Sequence, residues 1–460
     1  MNECRCFARR MTLRVRVTVR RSARWMAAIL FCVCVMVCAR SYAAELNIWV
    51  MSTTAQPQQD MREILRPYLQ SHPDLRVNVT VLNWENAWAK INAAVESGQG
   101  PDIVELGSTW VAAIAAQGAL ETLTSAQIAE VGGSGAFFPA LWSSTHRLRA
   151  DTVFALPWYG GARVAYYRSD LFKRAGINPS EAFANWSSFK QAMRKLNGMN
   201  VDGKKVAALG YPGRSDSDIL HNLAPWIWNA GGDFLRSDHR ATTINSPEVV
   251  QAIAYYTSFA DEGLVPASAL EKDSAQIESG FFYGQYAVIF SGPWVLKVLN
   301  TPKSKGGQLG SVTAQNFGVA SYPAGIKGNQ TLFSGSDLAI MRSSKNKKEA
   351  WQLVKYLLSR DAQLQFSQRS GMLPARLDVA HDPALLRDPH YAEFVEQVKL
   401  GRHYPVLPAW GRLEKVFRTS ISQIVTARNI VKGAHAHVEV KKNLDDASHQ
   451  ANAILVSETR

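Results

Sequence analysis

The sequence predicts an α/β protein with largely parallel sheets, and three observations support this prediction. Short apolar strands alternate with amphipathic helices along most of the 460 residues. The roughly 417 residues that follow position 43 exceed what one compact core holds and indicate two domains. Several tryptophans lie where predicted strands end, and ligands of such sheets bind outside the carboxyl ends of the strands.

The strands are predicted from short runs of β-branched and aliphatic residues. Val77, Val79 and Val81 alternate with other residues, which is typical of a strand with one buried face. Eight runs of this kind are predicted to be strands: residues 46–50, 77–82, 102–106, 153–156, 206–209, 286–290, 317–320 and 338–341.

The helices between these strands have recognisable ends. Ser246-Pro247-Glu248 supplies an N-cap, a proline at the first helical position and an acid in the first turn, and Gly263 ends the helix. Further helices are predicted over residues 169–175, 185–197 and 350–358. Three tryptophans on helical stretches are predicted to pack in the core: Trp226, Trp228 and Trp351.

Residues 1–43 have the composition of an export signal. The segment is rich in arginine, an apolar run extends from Trp25 to Cys38, and the sequence before Ala43 is suited to cleavage after that residue. Fourteen apolar residues are too few to span a bilayer comfortably. We therefore expect a periplasmic protein whose leader is cleaved near Ala43. A retained membrane anchor is the alternative, and a start at Met11 or Met26 stays open.

The excess positive charge belongs largely to this leader. Nine of the 51 Lys and Arg residues and one of the 38 Asp and Glu residues lie in it, so the net charge of the remainder is about +5 rather than +13. The remainder therefore lacks the strong positive charge that would favour a nucleic acid partner. All five cysteines also lie before residue 44, which excludes disulfides and thiolate chemistry from the remainder.

Tryptophans mark the predicted binding site. Core tryptophans usually lie inside an element on its buried face, whereas a ring at a strand end is free to cover a ligand. Aromatic rings with a few polar neighbours suit a small molecule, and a sugar offers them an apolar C–H face with a rim of hydroxyls. Five tryptophans lie in or beside breaks rich in Gly, Pro and Ser: Trp84, Trp110, Trp158, Trp294 and Trp410.

Short strings in a fixed order link the chain to a known family. They are GQGPDIV at 98–104, GAL at 118–120, LPWY at 156–159, YYR at 166–168, DLF at 170–172, NAGGD at 229–233, NSPE at 245–248, SGPW at 291–294 and SKNKKEAW at 344–351. In their order and spacing they resemble the extracellular solute-binding proteins of ABC importers, specifically the sugar-binding group that includes maltose- and trehalose-binding proteins. The resemblance covers nearly all of the chain after the leader.

The resemblance implies a two-lobed periplasmic-binding-protein fold with a ligand cleft between hinge-connected lobes. The chain is expected to cross between lobes near residues 158–161, 317–323 and 373–376. After a signal peptide of residues 1–43, the first lobe then comprises residues 44–157 and 320–372. The second lobe comprises residues 158–319 and 373–460.

The resemblance also implies where a sugar is held. Trp294 and Trp410 correspond to the aromatic platforms of the family, and packing of a helix is the alternative role for each. Gly292 opens the helix at Trp294, whose free backbone N–H groups are expected to meet ligand oxygens. Tyr159 and Gly161 lie at the hinge, where missing side chains allow close backbone approach.

Further candidates supply polar groups near these rings. Ser108 and Thr109 offer hydroxyls, with helix capping as the alternative, and Arg163 donates to a ligand or stiffens the hinge. His221 corresponds to an aromatic contact of the family. The remaining candidates follow strands or lie in glycine-rich turns: Trp84, Glu85, Arg214, Gly335 and Ser336.

We therefore expect a non-enzymatic, monomeric binding protein that delivers a di- or oligosaccharide such as maltose or trehalose to the membrane permease of an ABC importer. A glycerol-3-phosphate or phosphodiester-binding protein is the first alternative; it requires a basic cleft, for which Arg163 and Arg214 are candidates. An exported glycoside hydrolase is the second; it requires two carboxyl groups about 5–10 Å apart across a sugar. No nucleic acid partner, cofactor or metal is predicted, because phosphate-binding glycine loops and the HExxH and GxSxG motifs are missing from the sequence.

Overall fold

The structure, a computed structural model, describes residues 44–146, 151–214, 217–427 and 434–458. The predicted signal peptide lies outside these ranges and stays a prediction. Contacts divide the chain into two units, and the larger one, Leu46–Tyr68 with Val77–Arg460, contains every candidate residue. In the smaller unit, the described residues are Ala44, Glu45 and the segment Leu69–Arg76.

Within the described ranges, twelve strands form two sheets. The strands are β1 Ala44–Met51, β2 Leu75–Leu82, β3 Ile103–Gly107, β4 Ala155–Ala162, β5 Val164–Arg168, β6 Met199–Val201, β7 Lys204–Gly210, β8 Tyr286–Ser291, β9 Phe317–Ala320, β10 Thr331–Ile340, β11 Leu373–Pro374 and β12 Gly401–Arg402. The first sheet has the order β11-β4-β10-β3-β1-β2, with β12 paired to β10, and the second has the order β6-β7-β8-β5-β9. Each of the eight predicted runs overlaps a strand.

The described part of the chain contains twenty α-helices. In the first half they are α1 Pro57–Ser71, α2 Trp84–Ser97, α3 Val111–Ala116, α4 Ser125–Glu130, α5 Pro139–Trp142, α6 Ser169–Arg174, α7 Pro179–Ala182, α8 Trp186–Leu196 and α9 Ser217–Asn229. In the second half they are α10 Pro247–Asp261, α11 Ser274–Phe282, α12 Trp294–Leu299, α13 Val312–Gln315, α14 Lys347–Leu357, α15 Arg360–Ser370, α16 Leu377–Ala380, α17 Pro383–Leu386, α18 Pro389–Gln397, α19 Trp410–Ala427 and α20 Ala434–Glu458.

The sheets are mixed rather than largely parallel, although the α/β class is as predicted. β1 pairs parallel with β3, and β7 with β8, through helical crossovers. In contrast, β10 runs antiparallel to both β3 and β4, and β5 runs antiparallel to both β8 and β9. Four of these antiparallel strands, β4, β5, β9 and β10, are those at which the chain passes from one sheet to the other. β6 and β7 also pair antiparallel, as neighbours in the second sheet.

The chain passes between the sheets where β4 continues into β5 and where β9 leads to β10. Only Arg163 separates β4, in the first sheet, from β5, in the second. These passages lie close to the first two predicted crossings. β11, beside the third predicted crossing, pairs with β4 in the first sheet. The exact lobe boundaries stay a prediction.

The helices bury apolar stripes against the sheets. In α10 the buried residues recur three or four positions apart, and Ser246 accepts a hydrogen bond from the backbone N–H of Val249 as the predicted N-cap. Each fully buried large apolar side chain contributes about 1.5–3 kcal/mol. Trp226, Trp228 and Trp351 are all buried, which confirms their assignment to the core.

Candidate functional site

Trp294 is the first residue of α12 and lies just beyond the carboxyl end of β8. Its ring is half-buried, and the indole Nε1 donates a hydrogen bond to Oε1 of Glu278 at 2.8 Å. The ring also packs directly on Gly292, where an added Cβ would lie 2.1 Å from a ring carbon. A side chain at position 292 would displace the ring. Gly292 and Glu278 together therefore fix the position of this indole.

Arg163 connects the two sheets beneath this tryptophan. Its guanidinium lies 4.5 Å from the centre of the Trp294 ring and donates to both carboxylate oxygens of Asp218, at 2.7 and 3.3 Å. Burial disfavours both charges, but the ion pair outweighs it, so the pKa of Asp218 is lowered and that of Arg163 is raised. The positive charge of Arg163 is thus already balanced by a protein carboxylate.

Glu278, on α11, is the second acid beside Trp294. Its Oε1 accepts hydrogen bonds from both the Trp294 indole and Ser291 Oγ, the latter at 2.5 Å. Burial raises the pKa of Glu278 to about 7, and Asp218 adds to this effect, whereas the two hydrogen bonds oppose it. The carboxyl therefore changes charge close to neutral pH.

A polar group of similar kind lies after β3, in the first sheet. Ser108 Oγ is 2.8 Å from Nε2 of His403, and Gly335 donates its backbone N–H to the same hydroxyl at 3.3 Å. His221 Nδ1 lies 3.0 Å from the hydroxyl of Tyr404. Burial lowers the pKa of both histidines to about 4, so both are neutral at pH 7.

His221 connects the two polar groups electrostatically. Its charged form is disfavoured by Arg163 on one side and by His403 on the other, and it is favoured by Asp218. His221 follows Asp218 by three residues on α9, and its partner Tyr404 is the neighbour of His403 in the chain. His221 therefore lies between the Arg163–Asp218 pair and the His403–Ser108 pair in these contacts.

Three indoles also cluster at the end of β3. The ring of Trp110 lies edge-on to those of Trp84 and Trp88, with ring centres 5.5 Å apart in both pairs. Gly107, the last residue of β3, allows this approach because an added Cβ would lie 3.3 Å from the Trp84 ring. Trp84 is 37% exposed, so part of this aromatic surface faces solvent.

Rings and balanced polar groups at strand ends suit a neutral, hydroxyl-rich small molecule. Indole faces cover apolar C–H groups, and carboxylate, hydroxyl and imidazole groups accept or donate hydrogen bonds at the rim. Among the described residues, no group of three or more His, Cys, Asp or Glu is placed to hold a metal ion. Of the helices in the same ranges, none is long and apolar enough to cross a membrane.

Sequence comparison identifies the family. A profile of the bacterial extracellular solute-binding proteins matches residues 52–364. The chain belongs to this family. Its members act outside the cytoplasm, bind a solute for an ABC transporter together with its permease components, and catalyse no reaction.

Known members of the solute-binding family resemble this chain over most of its length. A binding protein of Brucella abortus is 26% identical over 436 residues, covering 94% of this chain and 98% of the relative. The diacetylchitobiose-binding protein of Streptomyces coelicolor is 23% identical and covers 82% of this chain and 83% of its own. Both relatives therefore match far more than the region of the family profile.

Solved structures of solute-binding proteins share the fold. One from Thermotoga lettingae, bound with α-D-tagatose, has a TM-score of 0.76 at 22% identity and covers 90% of this chain and 100% of its own. One from Mycobacterium tuberculosis, in complex with glycerophosphocholine, has a TM-score of 0.74 at 20% identity and covers 91% and 100%. At these identities the structures show the common two-lobe fold and not the ligand of this chain.

Trp410 does not lie where the family resemblance predicts a platform. The side chain has no exposed area. Its ring is stacked on Tyr404 with centres 4.8 Å apart and lies edge-on to Phe234 at 6.0 Å. Protein rings already cover it, so it cannot stack on a ligand in this structure. The prediction of a platform at Trp410 is therefore contradicted by its burial.

Tyr159 and Ser336 also lie in the interior. The Tyr159 hydroxyl donates to Oε1 of Glu105 at 2.5 Å and accepts from Ser336 Oγ at 3.0 Å, all three residues being buried in the first sheet. Gly335 lies where an added Cβ would be 1.9 Å from the Tyr159 carbonyl oxygen. These predicted ligand contacts instead hold β3, β4 and β10 together, because the strands leave no room for a ligand between them.

The other predicted residues divide between the site and the surface. Gly161 lies against Pro293, where an added Cβ would be 3.2 Å from the proline ring, and so lies next to Trp294. Thr109 is buried in the turn after β3. Glu85 is exposed on the first turn of α2, and Arg214 is exposed with the carboxylate of Asp273 at 3.7 Å.

Four site residues were not predicted from the sequence. Trp88 could have been found, because it lies four residues after Trp84 on one helix and therefore on the same face. Asp218, Glu278 and His403 carry no local signal of this kind. Their partners are 55, 16 and 295 residues away along the chain, and only the fold brings them together.

Proposed function

We propose that this chain is the periplasmic binding protein of an ABC sugar importer and that it binds a di- or oligosaccharide of the maltose or trehalose type. The observation that chiefly supports this proposal is the half-buried Trp294 indole, which Glu278 and Gly292 fix at the carboxyl end of β8. In this proposal one sugar ring stacks on Trp294, and the indoles after β3 contact the ligand from the other sheet. The leader is removed near Ala43, and the loaded monomer delivers the sugar to the permease.

The charges near Trp294 favour a neutral ligand over a phosphate. Arg163 is bound by both oxygens of Asp218, and Glu278 adds a further acid beside the ring. Arg214, the other basic residue predicted for a phosphate site, is exposed and lies near Asp273. A phosphate ester beside the Trp294 ring would therefore meet the Glu278 carboxyl and, in Arg163, a cation that Asp218 already neutralises, which argues against a glycerol-3-phosphate ligand.

The proposal is tested by thermal shift and calorimetry on the purified chain without its leader, with maltose, trehalose, sucrose and glycerol-3-phosphate as probes. A ligand that binds the folded state raises the melting temperature by mass action. We expect one of the sugars to do so and glycerol-3-phosphate not to. Replacing Trp294 by alanine is expected to weaken sugar binding by about 2–4 kcal/mol, as for other buried anchor aromatics.

Tyr283→Ala is the matched control for this substitution. Tyr283 is 72% exposed and precedes β8 at its opposite end, three residues before the strand begins, as Trp294 stands three residues after its end. Loss of this aromatic ring is expected to leave sugar affinity unchanged. Undiminished sugar binding by Trp294→Ala would refute the proposed site. A rise in melting temperature with glycerol-3-phosphate alone would indicate that the ligand is a phosphate ester and not a sugar.

A further inference from the structure

The carboxylate of Glu278 uses its two oxygens differently. Oε1 accepts both hydrogen bonds, from Ser291 Oγ at 2.5 Å and from the Trp294 indole at 2.8 Å. Within the described part of the chain, Oε2 has no hydrogen-bond partner, and it is not one of the fully enclosed side-chain atoms that lack one. This second oxygen therefore keeps accessible surface beside the half-buried Trp294 ring.

The neighbouring charged groups do not compete for this oxygen. Arg163 has its guanidinium 4.5 Å from the centre of the Trp294 ring and is held by both oxygens of Asp218, at 2.7 and 3.3 Å. Asp218 in turn has both of its acceptor oxygens occupied by that guanidinium. Among the acids around the Trp294 ring in the described ranges, Glu278 is thus the one with a free acceptor.

We propose that Glu278 is a ligand-binding residue that selects for a hydroxyl donor at the edge of the ring stacked on Trp294. Oε1 holds the indole in place, and Oε2 accepts a hydrogen bond from the ligand. The inference rests on the proposed function, since it assumes that Trp294 is the platform. It narrows the ligand to an unphosphorylated sugar or polyol with a free hydroxyl at that edge, because an anionic group there would be repelled by the carboxylate.

The substitution Glu278→Gln distinguishes the roles of the two carboxylate oxygens. The amide carbonyl still accepts from Trp294 and Ser291, whereas the –NH2 group that replaces Oε2 donates and no longer accepts. At pH 8, where the Glu278 carboxyl is ionised, we expect calorimetry with maltose and trehalose to show about ten- to a hundredfold weaker binding of whichever sugar the parent protein binds, as for the loss of a hydrogen bond to a charged group. Tryptophan emission without ligand is expected to stay close to that of the parent, because the amide keeps the hydrogen bond to the indole. Unchanged emission together with unchanged affinity would show that Glu278 serves only to hold the indole.

Glu271→Gln is the matched control, because it removes the same charge from an exposed side chain seven residues earlier. It is expected to leave affinity unchanged. If Glu278→Gln does not fold, Glu278→Asp supplies the second readout, since it keeps the charge but withdraws the oxygens by one methylene. Unchanged affinity in the variant that folds would overturn the inference.

The outcome also distinguishes this inference from the proposed function. If Trp294→Ala loses sugar binding while Glu278→Gln keeps it, the platform stands and Glu278 is only a positioning residue for the indole. If neither substitution weakens binding of the sugar, the site itself is elsewhere and both proposals fail. Tighter binding of glycerol-3-phosphate by Glu278→Gln than by the parent would support the repulsion that the carboxylate is proposed to exert.

Discussion

Trp294 and Trp410 occupy the same position in their local sequence but different environments in the fold. Each is the first residue of a helix, and each closely follows a proline. Trp294 is half-buried and donates its indole N–H to Glu278. Trp410 is fully buried, and its Nε1 has no hydrogen-bond partner among the described residues. A helix start thus determines neither the burial of a tryptophan nor its partners.

The difference arises from residues distant in sequence. Around Trp410, the rings of Phe234, Tyr404 and Phe417 form a closed aromatic cluster. Around Trp294, the neighbours are glycine and charged or polar groups, namely Gly292, Glu278 and Arg163. The first environment excludes water and ligand alike, whereas the second leaves surface and hydrogen-bonding capacity. We therefore assign Trp410 to stability and propose Trp294 for binding.

The largest expected effect separates these two roles. Replacing Trp410 by alanine is expected to lower the free energy of unfolding by about 3–5 kcal/mol, because it leaves a cavity inside an aromatic cluster. Trp294→Ala should cost about 1–2 kcal/mol of stability, since its ring is already partly exposed. Urea unfolding followed by circular dichroism measures both. A larger loss of stability for Trp294→Ala than for Trp410→Ala would contradict the assignment of Trp410 to stability.

A pH experiment sharpens the comparison, because one acid with a raised pKa lies near each ring. Burial raises the pKa of Glu414, on α19 four residues after Trp410, from 4.5 to about 7, with Asp218 adding to the rise and Arg418 opposing it. Because this folded-state pKa exceeds the unfolded value, the stabilising contribution is complete below pH 4.5 and is lost as the pH rises through 7. Glu414→Gln cannot ionise, so its stability relative to the parent should improve by about 2 kcal/mol between pH 5 and pH 8.

Glu278→Gln provides the counterpart near Trp294. The pKa of Glu278 is raised in the same direction, again chiefly by burial, so its substitution should flatten the loss of stability over the same pH range. The two variants are expected to differ in sugar affinity, which only Glu278→Gln should weaken. Urea unfolding and calorimetry at pH 5 and pH 8 test this pair. Weakened sugar binding by Glu414→Gln would place the second acid in the site as well.

Much of the fold could be predicted from the sequence because its strands and helix caps are local signals. The alternating valines of β2 and the Ser246-Pro247 start of α10 both depend on neighbouring residues only. The mixed strand directions were missed, because they depend on how β4, β5, β9 and β10 cross between sheets. No pattern within a strand records the direction of its neighbour.

The candidate site could be predicted only in part for a similar reason. Trp294 and Gly292 follow from the SGPW string and Gly161 from the two glycines after LPWY, and the structure brings them together. Trp410 matched the same kind of string, yet its burial depends on Phe234, 176 positions earlier in the sequence. Short sequence strings therefore predict which tryptophan begins a helix, whereas packing between distant residues determines whether a ligand can reach its ring.

Trp84 supplies the third member of the comparison and the smallest expected effect. It is also the first residue of a helix, but it is 37% exposed, and Trp110, edge-on at 5.5 Å, is its one ring neighbour among the described residues. Trp84→Ala should therefore cost no more than about 1 kcal/mol of stability, the value typical of one aromatic pair. If burial rather than helix position governs these tryptophans, the unfolding costs must decrease in the order Trp410, Trp294, Trp84. A cost for Trp84→Ala equal to that for Trp410→Ala would contradict this order, and urea unfolding of the three alanine variants side by side decides it.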